Sequence, residues 1–146
     1  MLFRWPLGEQ PENPGLRPDP IEIIAVFAGG MIGAVLRAGL WETWAHDPAS
    51  WPWATFVANV AGAFLLGYFA TRLQERLPPS TWRRPFLGTG LCGALTTFSA
   101  MQLELYTMLD LGHTGLALGY VTASLVAGYA AVMAGSAIVR RAALVR

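Results

Sequence analysis

The chain has 146 residues, 54% hydrophobic and 13% charged, and its ten basic residues, all arginine, nearly balance nine carboxylates. A net charge of +1 gives no reason to expect a nucleic-acid partner, and the single cysteine, Cys92, excludes an intramolecular disulfide or a multi-cysteine metal site. No zinc-protease helix, phosphate-binding glycine loop or nucleophile–base pair is legible, so nothing in the chain reads as an enzyme.

Residues 1–20 are polar and hold five of the ten prolines, which predicts a disordered tail lacking the apolar core of a signal peptide. Residues 21–146 read as one all-α, four-helix transmembrane domain. Its apolar segments fall at about 23–40, 53–70, 86–108 and 116–139, each near the ~20 residues that cross a bilayer. The first carries Gly29, Gly30, Gly33 and Ala34 as two small-xxx-small pairs suited to close helix contact, then Arg37, read as a structural anchor. Trp41, Trp44, Trp51 and Trp53 follow at one end of the first hairpin, where indoles favour the headgroup zone.

The second segment sets Thr55 and Asn59 four residues apart, hence on one helical face. An asparagine there either bonds a neighbouring helix or offers two N–H donors to an anion. The third contains the run from Gly88 to Ser99, with three glycines, three threonines and a serine inside an apolar stretch. A helix that breaks there survives in hydrocarbon only if it is buried in protein or lines a polar cavity, which hints at an ion site or permeation path. Glu104 lies more than a turn beyond, either functional or high enough to reach water. In the fourth, Tyr120, Ser124 and Gly128 share a face, the first two forming a short hydroxyl track.

Nine arginines (Arg4, Arg17, Arg72, Arg76, Arg83, Arg84, Arg140, Arg141 and Arg146) fall on one side of a four-span topology, against Arg37 near the other. The positive-inside tendency therefore predicts a multi-pass protein of the cell membrane with both termini cytoplasmic.

These residues resemble the Fluc (CrcB) fluoride channels. That family's first-span signature, Gly-Gly-x-x-Gly-Ala-x-x-Arg, matches Gly29 to Arg37, and its Val-Asn-x-x-Gly element is echoed by Ala58-Asn59-Val60-Ala61-Gly62. Its third-span motif, Gly-x-x-Gly-Gly-x-Thr-Thr-Phe-Ser-Thr-Phe-Ser-x-Glu, is similar to the stretch from Gly90 to Glu104. The resemblance spans about residues 22–140 and implies an antiparallel, dual-topology-type dimer with a broken third helix and two narrow pores. It implies a structural sodium ion, not transported, at the dimer centre on the backbone carbonyls of Gly93 and Thr96. It implies a fluoride path along Asn59, Phe98, Tyr120 and Ser124, to which Thr55, Thr97, Met101 and Glu104 are added as neighbours. Met101 stands where the family has a second phenylalanine, Ala100 where it has a threonine, and Gly128 at a position that can carry a hydroxyl.

The implied function is passive export of cytoplasmic fluoride, which relieves its toxicity. Two alternatives stay open: a non-conducting accessory subunit of a heterodimeric channel, and a small proton-coupled multidrug exporter. The exporter needs a mid-membrane carboxylate in the first span, where only Glu22 at its start is found. The arginine bias permits one orientation only, so an antiparallel dimer calls for a homologous partner of opposite topology.

Overall fold

The computed structural model describes residues 19–44, 47–48 and 50–142. The tail expected at 1–20 lies outside them save for its last two residues, as do Arg4, Arg17 and Arg146. The described residues are helical with short connections: α1 (Pro20–Thr43), α2 (Trp53–Glu75), α3 (residues 85–95), α4 (Phe98–Asp110) and α5 (Thr114–Arg141). The helix ends follow local chemistry. Asp19 caps α1 by accepting from the Ile21 amide at 2.9 Å, with Pro20 at the first helical position. Gly112, at φ +78°, makes the left-handed turn between α4 and α5.

Three helices, α1, α2 and α5, are long and apolar enough to cross a membrane. They run past the sequence limits, because Thr43, Arg72, Glu75, Arg140 and Arg141 extend them beyond the apolar core. The third expected segment is not one helix. A π-helical stretch, Pro85–Cys92, and one α turn, Gly93–Leu95, end at Thr96 and Thr97, both extended (φ, ψ −79°, 151° and −147°, 115°). Helix resumes at Phe98. At 1.5 Å per residue α4 reaches only ~20 Å, well short of a ~30 Å hydrocarbon core.

Glycines set the packing. A Cβ on Gly29 would collide with the Phe86 carbonyl oxygen and one on Gly33 with that of Leu91, so α1 meets α3 backbone to backbone. Gly67 and Gly135 do the same for α2 and α5, each against the other helix's carbonyls at Val132 and Phe64, and Ser136 donates to the Gly67 carbonyl at 3.3 Å. Such close contact is how apolar helices associate where water supplies no drive. The outward faces of α1 and α5 stay apolar, with Phe27, Val35, Leu125 and Tyr129 each at least two-thirds exposed. Faces of this extent call for lipid or a second protein.

Candidate functional site

The site is built around the two extended residues. In an unbroken helix the Thr97 amide would bond the Gly93 carbonyl. Here it turns away and donates to Asn59 Oδ1 at 2.7 Å, while Asn59 Nδ2 donates to the Thr97 carbonyl at 3.1 Å. One side-chain amide thus replaces a peptide partner on both sides and splints the break. Gly62, three residues on, sits under Thr96, whose γ-methyl a Cβ would strike; Thr96 Oγ1 donates to the Cys92 carbonyl at 2.9 Å. Thr97 also caps α4, its hydroxyl accepting from the Ala100 amide at 3.2 Å beside Ser99 Oγ at 3.3 Å. Asn59 and Gly62 therefore act as one device holding the gap open. One Nδ2 hydrogen is committed to Thr97, so one donor, not two, remains for a guest.

One turn before Asn59, fully buried Thr55 donates to Glu104 Oε1 at 2.5 Å. Tyr120, also fully buried, donates to Oε2 at 2.9 Å. The Trp41 indole N–H closes the cluster on Thr55 Oγ1 at 3.4 Å. Four helices meet here, and each Glu104 carboxylate oxygen accepts a hydroxyl proton, the kind of pairing an ionisable group in a membrane requires. The Tyr120 ring packs with Met108 and Ala117, and Trp51 meets it edge-on with centroids 5.4 Å apart. Trp41 and Trp51, read as interfacial anchors, thus also reach this cluster.

A family model described as "CrcB-like protein, Camphor Resistance (CrcB)" matches residues 24–136, which include every group named above. This chain belongs to the CrcB family. It is 58% identical over 123 residues to a protein of Mycolicibacterium paratuberculosis named fluoride-specific ion channel FluC 1, covering 84% of this chain and 93% of that one. A Nocardia farcinica protein named fluoride-specific ion channel FluC 2 is 40% identical over 84% of this chain and 87% of its own length. A Rhizobium meliloti protein named fluoride-specific ion channel FluC is 42% identical over 81% and 95%.

Within this CrcB chain, Thr55, Asn59, Thr97, Glu104 and Tyr120 come together, with half-buried Met101 packed on the Tyr120 cluster. Ser124, one turn from Tyr120, has a buried hydroxyl without a hydrogen-bond partner. Phe98 is instead 69% exposed, and Gly93, in the turn before the break, is exposed as well. Gly128 faces open space, as nothing lies within 4 Å of a Cβ built there. Arg37 lines a cavity of about 550 Å³ together with Trp41, Glu42, Thr97 and Ser99. Among the described residues no three His, Cys, Asp or Glu side chains gather as a metal site.

Proposed function

We propose that the chain is a subunit of a fluoride-specific channel that lets cytoplasmic fluoride leave passively. The observation that carries this reading is the 58% identity, across most of both chains, to a protein named as such a channel. The site chemistry supports it. Fluoride is small and strongly hydrated, so a narrow path must replace its water with donors yet release the ion. The donors gathered here are neutral. Thr55 and Tyr120 donate their hydroxyl hydrogen bonds to Glu104, while the Ser124 hydroxyl, the Trp51 indole N–H and the second Asn59 N–H stay open. With its oxygens held by hydroxyls, Glu104 orients that track. Phe98 supplies a ring edge of partial positive charge. Hydrogen fluoride enters cells as the neutral acid and ionises, and a negative-inside potential then drives the anion outward.

The finer architecture belongs to the same proposal. α3 and α4 together form the third of four crossings, its break covered by a second, antiparallel subunit. A structural sodium ion on the Gly93 and Thr96 carbonyls fits these residues, since the amide that would occupy the Gly93 carbonyl bonds Asn59 instead. When bound, the ion adds positive potential near an anion path. The exposure of Phe98 supports a ring shared with the partner, and the arginine bias supports a homologous partner of opposite topology. Met101, packed on the Tyr120 core in place of an aromatic edge, favours one second reading: an accessory subunit whose own path does not conduct. Fluoride efflux from liposomes holding this chain alone, then with its partner, separates them. Flux that appears only with the partner, and persists when the partner's own pore asparagine is disabled, assigns conduction to this chain. Flux lost with that asparagine assigns the accessory role.

A further inference from the structure

We infer that the groove between the C-terminal half of α2 and the start of α3 is a binding site for one acidic glycerophospholipid. It is a cavity of about 700 Å³, well away from the polar cluster around Glu104. Leu66, Phe69 and Leu73 line it at helical spacing on one face of α2, Leu77 continues the apolar wall just past the helix end, and Arg83 and Arg84 line it too. From Leu66 to the end of α2 the rise is roughly 14 Å, about half the hydrocarbon thickness, so the apolar wall matches the reach of an acyl chain in one leaflet.

Charge selects the headgroup. No carboxylate lines the groove, and neither guanidinium makes an ion pair among the described residues, where Glu75 pairs with Arg140 instead. Arg83 lies 5.7 Å from the Trp82 ring centroid, which fixes it at an interfacial indole. Two arginines with no carboxylate partner among the described residues, over an apolar slot between membrane helices, ask for a phosphate with a tail attached. The floor agrees: Gly88 lines the groove, and a Cβ there would meet nothing within 4 Å, so this glycine serves no helix contact and leaves the slot deep. The inference rests on the reading that these helices cross a bilayer, but not on what the channel conducts.

The test is native mass spectrometry of the full chain, purified with its partner, against dioleoyl phosphatidylglycerol and dioleoyl phosphatidylcholine at equal concentration. At roughly fivefold per basic residue, the two arginines predict about a thirty-fold preference for the acidic lipid. Arg83→Gln/Arg84→Gln should bring the preference close to one. Gly88→Leu, which fills the slot and keeps both charges, should cut retention of the acidic lipid at least tenfold. Both variants are checked for an unchanged elution volume and melting point. Soluble glycerol phosphate should not displace the lipid. Equal retention of the two lipids by the parent, or acidic-lipid retention unaffected by either variant, would overturn the site, as would displacement by glycerol phosphate. Fluoride flux is measured in parallel, so failure here leaves the channel reading separately decided.

Discussion

Asn59 gives the sharpest perturbation. Its Nδ2 stands 3.1 Å from the Thr97 carbonyl and its Oδ1 2.7 Å from the Thr97 amide. In Asn59→Asp the second bond survives, but an acceptor now faces the carbonyl, leaving it unsatisfied at a cost of about 1–3 kcal/mol. The ionised carboxylate also repels a passing anion. Two like charges ~4 Å apart at an effective dielectric near 20 interact by about 4 kcal/mol, which corresponds to roughly three decades in rate. Asn59→Ser reaches neither Thr97 group, so it sacrifices both bonds, yet it keeps a neutral donor. Stability and flux should therefore separate: both variants melt below the parent, while flux falls in the order parent, serine, aspartate. The assay is electrode-detected fluoride efflux from liposomes carrying equal amounts of monodisperse protein, beside thermal unfolding of the same samples. An aspartate variant that conducts as well as the serine variant would refute the reasoning and reduce Asn59 to a packing residue.

Other outcomes follow from the same geometry. Gly67→Ala forces a Cβ into the Val132 carbonyl and should cost at least 2 kcal/mol by thermal unfolding, whereas Gly128→Ala, open for 4 Å, should be neutral or slightly stabilising. Tyr120→Phe removes a donor to Glu104 and should destabilise by about 1.5–3 kcal/mol; a double-mutant cycle with Thr55→Val should show coupling, because both hydroxyls serve the same carboxylate. Replacing sodium on both sides with N-methyl-D-glucamine should abolish fluoride flux, and flux persisting after thorough removal would exclude the Gly93–Thr96 site. Reporter fusions at the C-terminus should report a cytoplasmic end in nearly every molecule, and equal populations would remove the case for a partner of opposite topology.

How much of this was legible depended on the range of the physics. Hydropathy is local, and it located α1, α2 and α5 to within a few residues. The glycine–threonine run marked a weak helix, but which residues turn extended depends on Asn59, 38 positions away, supplying a substitute peptide partner. The Thr55–Asn59 spacing predicted a shared face. It could not say that one residue serves Glu104 and the other Thr97, since those partners arrive from α4 and the break. Glu104 read equally as a water-facing group because its donors come from two other helices. The π-helical stretch at Pro85–Cys92 left no periodicity to read in so short a segment.

The central claim is tested most directly by anion selectivity. Liposomes loaded with equal potassium fluoride and potassium chloride, carrying the chain with its partner and kept in a sodium-containing medium, are opened to efflux with valinomycin and followed with both ion electrodes. The account predicts fluoride efflux at least a hundredfold faster than chloride, with no accompanying proton movement. Equal release of the two anions, or fluoride release that runs only with a proton gradient, would contradict it.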